Sequence, residues 1–168
     1  MLRISAVAFA FAFAGAAQAQ GVITTQKLSA ALANELVGDS VAQCAKNGYK
    51  VWAVVVDLDG VRQALLRGDG APIHSQDNAY YKAYTVASMG LARKETSTKQ
   101  IADRMAKAQP STVPVFPLPN VTYAQGALAV VASNGDIIGA LGVSGAPGGN
   151  FDEECARHAL DRIKDRMK

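Results

Sequence analysis

Few side chains in this sequence are suited to chemistry, and the two histidines come first. His74 stands in the run Gly70-Ala71-Pro72-Ile73-His74-Ser75, where glycine and proline forbid regular structure until a helix begins. An imidazole carried on a loop can ligate a metal or a haem iron. It can equally face solvent or cap the helix that follows. His158 lies beside Arg157 and Asp161, off the apolar stripe of the last helix, and reads as a surface residue.

A second candidate is the glycine-rich stretch from Gly139 to Cys155. It reads as the end of a buried strand, a bend, and a capped helix. Asn150 and Glu153 have the spacing of a capping box, with Asn150 as N-cap. Free N–H groups at such a bend and helix start can hold a carboxylate or phosphate. Ser144, Gly145, Gly148, Gly149 and Asn150 are therefore anion-binding candidates. The plainer alternative is a strand-to-helix connection, since glycine-rich turns are common punctuation.

Other chemistries find no support. There is no Cys-x-x-Cys-His for covalent haem attachment and no zinc spacing. No Walker loop is present, and no dinucleotide fingerprint runs from a strand into a helix. His74 has no evident partners for a nucleophilic triad. Asp57 and Asp59 bracket a turn, and the turn accounts for them. A self-contained active site is poorly supported.

The elements that would position these residues follow a recognisable order. Met1 to Ala19 has the charge, apolar run and Ala17-Gln18-Ala19 cleavage pattern of a secretory signal peptide. The apolar run is too short to span a bilayer comfortably. A single mature domain over residues 20–168, in the periplasm or outside the cell, is the expectation. With 49% apolar residues the chain can build a real core. Its formal charge of +3 falls by one with the loss of Arg3, too little to argue for nucleic acid. In an oxidising compartment Cys44 and Cys155 can form one disulfide, which would make the first and last helices antiparallel neighbours. The alternative is two buried, unpaired thiols.

The periodicity predicts a helix over 26–47, capped by Thr24 or Thr25 and ended by Gly48. Residues 51–56 form a strand buried on both faces. Asp59-Gly60 turns it back into a strand over 61–67. Ser75 caps the next helix, with Asp77 in its first turn and a small-residue stripe at Ala79, Ala83, Val86, Ala87 and Gly90. Small residues there imply close approach to the sheet or another helix. Ser97 and Gln100 form a capping box for a third helix ending near Ala108. Pro110, Pro114, Pro117 and Pro119 then break regular structure. Val113, Val115, Phe116 and Leu118 among them call for a surface to lie on, either the chain's own core or a partner subunit. Strands over 127–132 and 136–143 join at Asn134-Gly135, and a last helix runs over 151–167. Two hairpins with helices between and around them predict an α+β fold, a mainly antiparallel sheet with helices on both faces.

Four stretches, taken in order, resemble the GlcG/HbpS family of haem-binding and related proteins. They are Val54-Val55-Val56-Asp57 with Gly60, then Arg67 to Pro72, then Lys82 to Ala87, then Gly139 to Cys155 with its Gly142-Val143-Ser144-Gly145 core. Together they cover most of the mature chain. The resemblance implies a profilin-like α/β/α sandwich on an antiparallel sheet, and a homo-oligomer. The C-terminal domain of PduO-type proteins is similar and is also linked to haem. The chain departs from the commoner, glycine-rich pattern at residues 116–123, before the second hairpin.

The resemblance implies haem binding, and its loop position makes His74 the candidate axial ligand. Arg67 and Lys82 would pair with the propionates, and Tyr84 would line the site. The alternative is an accessory or sensory module that binds an organic acid at the 145–150 bend. A third possibility is a purely structural oligomeric subunit.

Overall fold

The computed structural model describes residues 21–108 and 117–167. The expected signal peptide at residues 1–19, and Val113, Val115 and Phe116 of the proline-rich segment, lie outside the described residues. The centre of the fold is β1 (Trp52–Val56), buried along its whole length. It pairs with β2 (Arg62–Arg67) on one side and β4 (Ile137–Ser144) on the other. β4 in turn pairs with β3 (Ala127–Val131), giving the order β2-β1-β4-β3. Every pair is antiparallel.

Successive side chains of a strand point to opposite faces, and here both faces are covered. Ala53 and Val55 pack into one core with α1 (Ala30–Lys46) and α4 (Gly149–Ile163). Trp52, Val54 and Val56 pack into a second core with α2 (His74–Met89) and Ile101 of α3 (Thr98–Lys107). An unbroken apolar run that ends in three valines suits such a strand because neither face meets water. The result is the expected single-domain α/β/α sandwich. Among the described residues, no helix is long and apolar enough to cross a membrane.

The small-residue stripe of α2 brings that helix onto β4. Ala79 and Ala83 sit above Gly142, where an added Cβ would overlap the Ala79 carbonyl oxygen and lie 2.9 Å from the Ala83 nitrogen. Neither backbone can yield easily, so Gly142→Ala is expected to cost about 3 kcal/mol, the upper part of the usual overpacking range. Urea unfolding measures this. A loss under half a kcal/mol would mean the helix slides freely on the sheet.

α1 and α4 are joined by the Cys44–Cys155 disulfide, with a Cα–Cα distance of 5.6 Å. Arg162 meets Asp39 at 2.8 Å, and Arg166 pairs with Glu35. Partners that rise along one helix and fall along the other make the two antiparallel, as expected.

Three helix starts differ from the sequence expectation, and each difference has a tertiary cause. α1 begins at Ala30 under a Ser29 cap, not at Thr24 or Thr25. The preceding residues are drawn into other contacts: Lys27 bonds Asp57 and Asp59, and Leu28 is buried in the core. α2 begins at His74, so Ser75 is inside the helix and buried, not its cap. The Pro72 and Ile73 carbonyls already accept from the Ser75 and Gln76 N–H groups, which closes the first turn. α4 begins two residues early, with Gly148 as N-cap, so the Asn150–Glu153 capping box does not form. The Ser97 box of α3 does form: Gln100 N–H donates to Ser97 Oγ at 3.1 Å.

Beyond the prolines the chain is tied back onto α2, where Thr122 N–H donates to Thr85 Oγ1 at 2.9 Å. Leu118 itself remains 44% exposed.

Candidate functional site

β4 ends at Ser144, and the chain must then turn sharply to start α4. Gly145 makes the turn with φ +133° and lies so close to the Lys50 carbonyl that no side chain fits. The bend carries the N-terminus of α4 to the N-terminus of α2. Between them lies a cleft of about 470 Å³. One wall is α2, with His74, Ser75, Asn78 and Lys82. The other is the bend from Ser144 to Gly149, closed below by Gln125 and Asp152. The two stretches that looked like separate candidates in the sequence, around His74 and around Gly145, therefore line the same cavity.

His74, Asn78 and Lys82 are spaced by four, so a helix places them on one face. His74 is exposed at the mouth. Asn78 Nδ2 donates to Ser144 Oγ at 2.9 Å, which links the two walls. Lys82 is at the bottom. Its ammonium donates to Asp152 Oδ2 at 2.8 Å and to the Val143 carbonyl at 3.0 Å. The other Asp152 oxygen accepts from Ala146 N–H at 2.9 Å. Both side chains of this ion pair are 3% exposed. Burial pushes the Asp152 carboxyl above its ordinary value, against the opposing pull of Lys82 and the Ala146 N–H.

This pair explains why Asn150 is not the cap. Asp152 is in the first turn of α4, where a carboxylate is favoured by the helix dipole. It reaches inward to a lysine seventy residues away in sequence, and that bond sets where the helix starts. Gly148 provides no side-chain cap, and the N–H groups of Gly149 and Asn150 have no partner among the described residues. Lys82 and Asp152 cancel in formal charge, so the positive character of the cleft comes from the two helix ends.

Ser144, Gly145, Gly148 and Gly149 line the cleft with His74 and Lys82. Asn150 is exposed and outside it. Arg67 is also elsewhere. Its Nε and Nη2 donate to the Ala71 carbonyl at 3.0 and 2.7 Å, and its guanidinium lies 5.5 Å from the Trp52 ring. It borders a different cleft, of about 510 Å³, with Tyr49 and Lys50. Tyr84 is ten residues along α2 from His74, roughly 15 Å by helical rise, and packs on the Gly60 turn. Lys82 is in place, but two of its three donors are already engaged.

Ser75, Asn78 and Asp152 are site residues that sequence reasoning missed. The spacing of His74, Asn78 and Lys82 was the available signal. For Asp152 there was none, because its partner is distant in sequence.

The chain matches the sequence pattern of a family described as "Haem degrading protein HbpS-like" over residues 28–161. It is similar to the crystal structure of HbpS at 30% identity and a TM-score of 0.75, over 88% of this chain and 98% of that one. The protein ORFY of Klebsiella pneumoniae is similar at 25% identity and a TM-score of 0.70, over 84% of this chain and 93% of that one. The haem complex of PduOC shares the fold at 24% identity and a TM-score of 0.66, over 82% and 96% of the two chains. No curated protein matches the chain. The family pattern runs from the residue before the α1 cap into the last turns of α4 and takes in both walls of the cleft: the chain belongs to the HbpS-like family.

Proposed function

We infer that this is a secreted haem-binding protein of the HbpS type, serving haem storage, scavenging or redox sensing, and that the cleft between α2 and α4 is its haem site. The observation that carries the reading is an exposed imidazole, His74, at the mouth of a cleft with hydrogen-bond donors on its floor, with exposed apolar side chains on residues next to its lining. Ile73, next to His74, is 70% exposed, and Phe151 beside Gly148 is 36% exposed. Such side chains suit the face of a macrocycle. The residues therefore fit the group. Haem held there supplies a redox-active iron. His74 is the side chain to ligate it, and the polar floor receives the acidic edge. Arg67 and Tyr84 are too far from this cleft to belong to the same set. Assembly as a homo-oligomer accompanies this reading.

Hemin titration of the mature protein tests it. A saturable Soret change is expected, and His74→Ala should weaken binding at least tenfold, with a changed Soret position. An identical spectrum and affinity in His74→Ala would remove His74 as ligand, and no saturable change at all would sink the reading. The second reading, an organic-acid module without haem, is favoured by the polar floor alone.

A further inference from the structure

The floor of the cleft has two hydroxyl groups whose protons find no acceptor among the described residues. Ser75 is 1% exposed and lines the cleft, yet its hydroxyl makes no hydrogen bond among the described residues. Ser144 is 4% exposed, and its oxygen accepts from Asn78. Among the described residues no acceptor takes the Ser144 hydroxyl proton. Neither oxygen is sealed inside the protein, so each hydroxyl is open to the cleft that it lines. Each is a donor without an acceptor among the described residues. The N–H group of Gly149, which also lines the cleft, has no partner among the described residues at the uncapped start of α4. What is missing from this site is an acceptor.

We propose that the cleft floor is a carboxylate-binding subsite, in which the Ser75 and Ser144 hydroxyls donate to the anion between the starts of α2 and α4. The proposal rests on the cleft being the ligand site, and it names the part of the ligand that enters first. The charge favours an anionic group that carries a single negative charge, such as one carboxylate of a dicarboxylic acid. Two helix ends supply about half a positive charge each. Lys82 adds a cation but Asp152 cancels it, and the Asp152 carboxylate lines the same cavity with both oxygens engaged. A phosphate dianion would meet that buried carboxylate without a net cation to offset it. A carboxylate has the charge that the helix ends match and the lone pairs that the donors lack. The same chemistry is offered by a haem propionate and by a free organic acid.

The experiment uses the mature chain with four probes at matched ionic strength: hemin, hemin dimethyl ester, succinate and inorganic phosphate. Succinate is expected to raise the melting temperature and phosphate to leave it unchanged. Hemin is expected to bind about tenfold tighter than its diester, the size expected of a hydrogen-bonded charge. Ser75→Ala should remove both the succinate shift and the preference over the diester. Ser144→Ala is the second variant, and it also breaks the Asn78 link. Equal affinity for hemin and diester, with no succinate shift, overturns the subsite even where hemin still binds through His74. A succinate shift that Ser75→Ala abolishes, with no hemin binding, keeps the subsite and overturns the haem reading. A phosphate shift equal to that of succinate overturns the assignment to carboxylates.

Discussion

Replacing Lys82 alone by methionine is expected to cost about 3–5 kcal/mol, because it leaves the Asp152 carboxylate buried without its counter-charge. The ion pair is 3% exposed on both sides, and the methionine stem replaces the lysine stem at little change in volume. Asp152→Leu should cost a similar amount for the reverse reason. The double variant Lys82→Met/Asp152→Leu should recover most of either loss, since apolar replacement of a whole buried pair is often neutral or stabilising. Urea unfolding of the four proteins measures the cycle. Additive losses in the double variant would show that the pair contributes through separate contacts.

Burial raises the Asp152 carboxyl, so the sign of its pH dependence follows. Between the ordinary carboxylate value and the raised one, the native state holds a proton that the unfolded chain has lost. Stability from this group therefore falls as pH rises through that window. The fall should be missing from the double variant.

Loss of the disulfide is the second large effect. Cys44 and Cys155 are 111 residues apart, and the chain-entropy model assigns about 4–5 kcal/mol to closing a loop of that length. The Cys44→Ala/Cys155→Ala variant is expected to unfold at correspondingly lower denaturant, and reduction of the unaltered protein should produce the same midpoint. The bridge holds the middle of α4, whose start is one wall of the cleft, against the end of α1. Ligand affinity should fall with stability in the variant. A reduced protein with an unchanged midpoint would show that the α1–α4 packing is sufficient without the bond.

Much of the fold was legible because its signals are local. A β-branched run such as 51–56 suits one kind of strand, and Asp59-Gly60 and Asn134-Gly135 suit hairpin turns. The alanine stripe on α2 announced a close neighbour, and Gly142 is that neighbour. The helix starts were less legible. Thr24, Thr25, Ser75 and Asn150 are all good caps by type, and none is used as one. A side-chain cap is typically worth about 1 kcal/mol, which a core contact or a buried ion pair outweighs. Leu28 burial moves the start of α1, and Asp152 pairing moves the start of α4.

The candidate site divides in the same way. His74 and the glycine-rich bend were recognisable by residue type, as were the cysteines that the structure joins. Arg67 was chosen for its charge, but its guanidinium is held by the Ala71 carbonyl and faces another cleft. By itself the sequence determined the strands, the turns, the two-sided core and the residues able to do chemistry, because these depend on spacing and on side-chain type. Only the tertiary structure decided which of those residues meet. His74 and Gly145 share a cleft because β4 passes beneath α2, and Lys82 faces Asp152 because burial on both sides leaves each charge no other counter-charge within ion-pair distance among the described residues.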